Sequence, residues 1–257
     1  MSKFVRFSLG GEVRYGMLEG DTVKVLRGSP FDCQGFSFSV RLEQIELLAP
    51  CLPSKIVCVG LNYRDHAEEI GASLPEEPHI FLKPPTAVIG PGQAIVIPSM
   101  SRRVDYEGEL ALVVKKRARN VPPEEAADCI LGYTCFNDVT ARDLVEKDKG
   151  PLRAKMFDTF AAIGPCISCG IDPGALALKT YVNGELRQSS NTSNLVFDPL
   201  QLVSFVSAVM TLLPGDVIST GTPSGIAPLK VGDLVEVEIE GIGRLSNPVA
   251  SHAGERK

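Results

Sequence analysis

Val104-Asp105-Tyr106-Glu107-Gly108-Glu109-Leu110-Ala111-Leu112-Val113-Val114 is the stretch from which the rest of this chain can be read. Its apolar second half reads as a strand, and strand side chains at i and i+2 stand on one face. Glu107 and Glu109 therefore point the same way, and Ala111 and Val113 carry their face into a buried interior, with Gly108 leaving the opposite side open. A bare Glu-x-Glu is most often a solvated strand face. Glutamates at the mouth of a buried face have another purpose. Convergent carboxylates raise one pKa or demand a counter-charge, and on a rigid element they suit a hard divalent cation.

The flanking sequence supplies a third acid. If Phe136-Asn137-Asp138-Val139-Thr140 closes a neighbouring strand, Asp138 joins the two glutamates. Three oxygens leave about three positions of an octahedral Mg²⁺ or Mn²⁺ to water and substrate.

Further out, 257 residues suit one large domain, or one domain with a small appendage. Basic and acidic residues number 26 and 31, a formal charge of −5, which offers nucleic acid or anionic lipid no footprint. Lys115-Lys116-Arg117 with Arg119 reads as a solvated strand end. The N-terminus lacks a signal peptide's apolar core and Leu202–Leu213 is too short to span a bilayer, so a cytoplasmic protein without membrane partners is expected. The seven cysteines read as free thiols. Cys166-Ile167-Ser168-Cys169 has no second pair at zinc spacing and reads as core.

Three short runs, Lys3–Phe7, Val13–Leu18 and Thr22–Leu26, form a small N-terminal β meander within residues 1–50, and Leu47–Pro53 reads as a linker. Lys55–Gly60 is a buried strand leading into a short helix over Asn62–Gly71. Pro122-Pro123 opens a second helix, and Asp198-Pro199 opens a third that runs through Leu213. Strands dominate without regular strand-helix alternation, so the class is mixed α/β, mainly β and largely antiparallel.

The ordered series Gly60-Leu61-Asn62-Tyr63-x-x-His66-Ala67-x-Glu69, Asp105–Ala111, Gly132-Tyr133-x-x-x-Asn137–Asp143, Lys155-x-Phe157-Asp158-Thr159 and Thr220-Gly221-Thr222-Pro223-Ser224-Gly225 resembles the fumarylacetoacetate hydrolase family. The likeness runs from about residue 55 to 247 and implies a catalytic domain at 55–250 behind the small β domain at 1–50. It implies a β-sandwich-like roll, usually a homodimer, with Mg²⁺ or Mn²⁺ held at Glu107, Glu109 and Asp138. Family members act on 2-oxo or 2,4-dioxo carboxylates by C–C hydrolysis, decarboxylation, or keto–enol and double-bond isomerisation. Lys155 matches the family lysine beside the metal, flanked here by Phe157 and Phe160.

All three reaction types pass through an enolate that a chelating cation stabilises. His66 and Glu69, at i and i+3 of a helix, are neighbours that form a general base. Glu236 aligns with the acid that orients histidine in larger family enzymes and is a second candidate partner. His79 and His252 have no partner pattern and receive no role. Arg142 is expected to bind a substrate carboxylate or oxyanion, Thr222 with its loop to bind the carboxylate, and Gln188, beyond the Asn183-Gly184 turn, to touch substrate. Many relatives carry glutamine where this chain has Val145, which removes an oxyanion donor and weakens the case for hydrolysis. The expected activity is C–C hydrolysis of an acylpyruvate-type substrate. The alternative is a decarboxylase, isomerase or tautomerase of a diacid such as oxaloacetate or 2-hydroxyhepta-2,4-diene-1,7-dioate. A silent metal-dependent binding protein is the non-enzyme alternative, and His66, Glu69 and Lys155 argue against it.

Overall fold

The computed structural model describes residues 1–251, so His252 lies outside the described residues. The chain opens with an antiparallel meander of β1 (Ser2–Leu9), β2 (Glu12–Glu19), β3 (Thr22–Leu26) and β4 (Phe36–Arg41). A short β5 (Glu46–Leu48) returns to pair with β1, so the first part of the expected linker is strand. Pro50 and Pro53 lie beyond it, where the missing N–H groups bar further pairing.

Then come β6 (Ile56–Gly60), α1 (Arg64–Ile70), β7 (His79–Lys83), β8 (Val88–Ile89), β9 (Ile95–Ile97), β10 (Val104–Asp105) and β11 (Gly108–Val114). The next group is β12 (Ile130–Asp138), β13 (Thr140–Ala141), α2 (Arg142–Asp148), α3 (Leu152–Lys155) and β14 (Ala161–Cys169). The hairpin β15 (Ala177–Val182) and β16 (Glu185–Asn191), then α4 (Pro199–Val209), β17 (Val217–Ser219), β18 (Leu234–Ile239) and β19 (Gly243–Ser251) complete the chain.

The large sheet runs β4-β3-β2-β1-β14-β12-β11-β17-β6-β7, and a five-stranded sheet runs β16-β15-β18-β19-β9. Pairing is antiparallel except for β17 with β6, β14 with β8 and β19 with β9. The result is the β-rich architecture expected, with the meander joined to the large sheet where Ser2–Phe4 pair with Ile167–Cys169.

Alternation along β11 divides the core. Leu110, Leu112 and Val114 pack with Leu178, Val237 and Leu245 of the smaller sheet, whereas Ala111 and Val113 face Ile56, Cys58, Phe136 and Ile163 on the other side. Both faces of the strand are therefore buried, and polar side chains at its end are held by rigid neighbours.

Two helices differ from expectation. Residues Pro123–Cys129 form a 3₁₀ helix. The helix expected to reach Leu213 stops at Val209, because Leu212 exchanges both backbone hydrogen bonds with Ala118, at 3.0 and 2.9 Å. Arg119 caps that end by donating to the carbonyls of Ser207 and Ala208, each at 2.7 Å. Cys166 and Cys169 are free thiols on β14; Cys166 is buried and sits beside the Ile242 carbonyl. No helix among the described residues is long and apolar enough to cross a membrane.

Candidate active site

The site begins with a register. Gly108 pairs with Asn137 and Glu109 with Phe136, so Glu107 lies across from Asp138, whose N–H donates to the Glu107 carbonyl at 2.8 Å. Glu107 sits in the break between β10 and β11 rather than within a strand. The Asn137 side chain repairs this break by accepting the Glu107 N–H at 3.0 Å. Glu107, Glu109 and Asp138 are all buried, and one oxygen of each lies within 4.8 Å of the others.

Gly108 does not face open space, as the sequence suggested. A Cβ there would lie 2.1 Å from Thr180 Oγ1 and 3.1 Å from Gln188 Oε1, so glycine is what allows the smaller sheet to approach.

Three cations surround the three acids. Lys155 Nζ bridges Glu107 Oε2 at 2.7 Å and Asp138 Oδ2 at 2.6 Å. Arg142 spans Asp105 Oδ2, at 3.0 Å, and Glu107 Oε1, and Thr140 Oγ1 also donates to the latter. Lys83 is fully buried and donates to the carbonyls of Val139, Lys155 and Phe160 at 2.9, 2.9 and 2.7 Å. Its Nζ also lies 2.7 Å from Asp138 Oδ1, off the hydrogen-bond direction, so that buried oxygen has a counter-charge but no aligned donor.

These contacts divide the carboxylates. Burial pushes the Glu107 carboxyl up, but Lys155 and Arg142 outweigh it and hold it down at about 2. Glu109 is raised well above the usual range by burial, then by Asp138 and Glu107. Burial lowers the Lys83 ammonium despite Asp138. It opposes the charge on Lys155 too, but Asp138 and Glu107 more than restore that charge.

The donor set fits a hard divalent cation: three buried oxygens, one without an aligned donor, and one carboxyl that cannot ionise easily without added positive charge. Glu107, Glu109 and Asp138 are the side chains that would hold it.

One loop ties this centre to the histidine dyad. Glu109 Oε2 accepts from Ser219 Oγ and, at 2.9 Å, from Gly221 N–H. Thr222 Oγ1 donates to the Gly108 carbonyl at 2.9 Å, and Gln188 Nε2 donates to Thr222 Oγ1 at 2.9 Å and to Pro223 O at 3.0 Å. Gln188 Oε1 accepts the Gly108 N–H at 3.0 Å. At the far end of the loop, Gly225 N–H donates to Glu69 Oε1 at 3.0 Å while Tyr106 Oη holds its carbonyl at 2.9 Å. Glu69 Oε2 lies 3.0 Å from His66 Nδ1. Gly221 has φ +96°, and a side chain there would press on Asn62 and the Val59 carbonyl, which come from the strand and turn leading into α1.

A cavity of about 430 Å³ opens above the three acids, with His66, Arg142, Lys155 and Thr222 on its wall and Val59, Leu61, Ile80 and Phe81 supplying apolar surface. Of the nine site residues expected from the sequence, seven line this cavity and an eighth, Glu69, stands behind His66. Gln188 is fully hydrogen-bonded within the protein and off the cavity wall, so it braces Gly108 and the loop instead of reaching substrate. Glu236 pairs with Arg244 at 3.5 Å on the smaller sheet, and Glu69 is the partner of His66. Val145 packs against the core and is not on the cavity wall.

Sequence reasoning gave no part to Lys83, Asp105 or Ser219, and His79, to which it assigned no role, lines the cavity. Lys83 carried a signal, a lysine closing the apolar run Ile80–Leu82 ahead of two prolines.

Comparison with known proteins agrees with this architecture. Residues 55–250 match the model described as fumarylacetoacetate hydrolase, C-terminal, and residues 2–50 match one described as Rv2993c-like, N-terminal. A mitochondrial oxaloacetate tautomerase of Xenopus laevis is 44% identical, over 80% of this chain and 69% of its own. The crystal structure of a 5-carboxymethyl-2-hydroxymuconate delta-isomerase from Mycobacterium smegmatis superposes with a TM-score of 0.92 at 45% identity, covering 97% of this chain and 100% of that one. A maleylpyruvate hydrolase from Sphingobium sp. SYK-6, in complex with manganese(II) and pyruvate, gives 0.81 at 31% identity, covering 97% and 99%.

Proposed function

Because the chain belongs to the fumarylacetoacetate hydrolase family, we propose that it is a Mg²⁺- or Mn²⁺-dependent enzyme that isomerises 2-oxo dicarboxylates by moving a proton at the carbon beside the keto group. The observation that carries this reading is that His66, whose Nδ1 lies 3.0 Å from Glu69, and the three-acid centre stand on the wall of one cavity. When bound at Glu107, Glu109 and Asp138, the cation supplies a Lewis acid for the keto-acid end of the substrate.

The chain's own groups do the rest. His66 takes the proton from carbon and returns it at another position, and the Glu69 carboxylate stabilises the charged imidazole and fixes its tautomer. The Gly225 N–H holds Glu69 in place, so the base is aimed by the same loop that holds Glu109. Val59, Leu61, Ile80 and Phe81 exclude water from the charge developing between them.

Proton transfer is preferred to hydrolysis for a specific reason. Hydrolysis needs donors aimed at a tetrahedral oxyanion. On this wall Arg142 and Lys155 are engaged by carboxylates and the Thr222 hydroxyl donates to the Gly108 carbonyl. The tautomerase and isomerase relatives support the same choice. C–C cleavage of an acylpyruvate is the second reading, favoured by the manganese- and pyruvate-bound hydrolase of the same fold. There His66 would activate water. Following ketonisation of enol-oxaloacetate and cleavage of an acylpyruvate in one Mn²⁺-loaded preparation tests the choice. Faster ketonisation is expected; cleavage without ketonisation would reverse it.

A further inference from the structure

Every basic side chain on the cavity wall except one is bound to a carboxylate. His66 is on Glu69, Arg142 on Asp105 and Glu107, and Lys155 on Glu107 and Asp138. His79 also lines the cavity, yet its imidazole has no hydrogen bond or ion pair among the described residues. It is exposed rather than packed in the core.

Its position follows from β7. Successive odd residues of this strand share a face: Lys83 reaches Asp138 and the Phe81 ring lies 5.1 Å from Lys155 Nζ. At ~3.3 Å per residue, His79 stands ~6.6 Å beyond Phe81 and ~13 Å beyond Lys83, toward the outer end of the cavity. Pairing of His79 with Gly60 fixes it beside the turn that enters α1.

We propose that His79 is a specificity-determining residue that takes the distal carboxylate of a 2-oxo dicarboxylic acid whose keto-acid end lies at the three-acid centre. The inference rests on the reading of that centre given above. A free imidazole donor at the far end of a partly apolar cavity favours a chain ending in an anion over one ending in a methyl group. The spacing along β7 makes the preference stronger for diacids longer than oxaloacetate.

The test is calorimetric, on Mn²⁺-loaded full-length protein, with 2-oxoadipate and 2-oxohexanoate as probes of equal carbon number that differ at the distal end. Wild type should bind the diacid about tenfold more tightly, the scale of one hydrogen bond to a charged group. His79→Val should erase most of that ratio, and His79→Gln, whose amide still donates, should restore part of it. A ratio unchanged in His79→Val, or no preference in wild type while both acids bind, overturns the role of His79 alone. Failure of the loaded wild type to bind either acid overturns both this inference and the reading of the centre.

Discussion

Replacing Glu109 by glutamine should move two observables in opposite directions. The residue is 1% exposed, and its carboxyl is raised well above the usual range by burial, then by Asp138 and Glu107. A folded-state pKa above the unfolded value near 4.5 favours the protonated form. That contribution is fully present below the unfolded value and is lost as pH rises through the raised one. At neutral pH the metal-free protein therefore bears the cost of crowded buried acids, about 1.4 kcal/mol for each unit of upward shift that the pH has passed. Glutamine removes the charge but retains an oxygen for Ser219 Oγ and the Gly221 N–H. Metal-free Glu109→Gln should thus be more stable by about 1–3 kcal/mol, a rise of about 2–4 °C in Tm per kcal/mol for a chain of this size. The same change deletes one of three anionic ligands. Because removing a mere supporting partner typically weakens metal binding 10- to 100-fold, the loss of Mn²⁺ affinity should exceed about 100-fold. Thermal melts with and without Mn²⁺, beside calorimetric titration, read both effects. A variant no more stable than wild type without metal would refute the electrostatic account of the acids, and unchanged Mn²⁺ affinity would refute the ligand assignment.

Two other outcomes follow from the same contacts. Mn²⁺ binding should release a proton from Glu109, so affinity should weaken by up to about tenfold per pH unit below the raised pKa, as calorimetry in buffers of different ionisation enthalpy would reveal. Gln188→Met should destabilise the fold by about 1–3 kcal/mol, because the buried Gly108 N–H loses its acceptor, and should weaken Mn²⁺ binding about tenfold through slack in the loop that holds Glu109. Wild-type metal affinity in that variant would show that Gln188 acts on stability alone.

The features legible in the sequence were those set by local periodicity. The apolar run Leu110–Val114 identified a strand, and the parity of Glu107, Glu109, Ala111 and Val113 placed both acids on one face, the one that packs against Ile56, Cys58, Phe136 and Ile163. Three-residue spacing on α1 placed His66 against Glu69. Features that depend on distant segments were not legible. Gly108 reads as facing open space until β15 and β16 are packed against it, and Gln188 lies on the expected hairpin but acts through a loop more than thirty residues away in sequence. Lys83 and His79 belong to a run without polar alternation, and only the pairing of β7 with β6 shows that one serves Asp138 and the other the cavity mouth. The extension of α4 to Leu213 failed for a similar reason, since a competing bridge to Ala118 lies outside any local window.

The central claim is that a cation at Glu107, Glu109 and Asp138 and a base at His66 act on one substrate. Deuterium exchange at C3 of 2-oxoadipate in D₂O, followed by proton NMR, measures this directly because it reports removal of the carbon-bound proton and nothing later. Exchange should require Mn²⁺ or Mg²⁺, stop on chelation, and fall by about 10²–10⁴ in His66→Ala, with Mn²⁺ affinity retained. Exchange no faster than in protein-free buffer, or undiminished exchange in His66→Ala, would contradict the account.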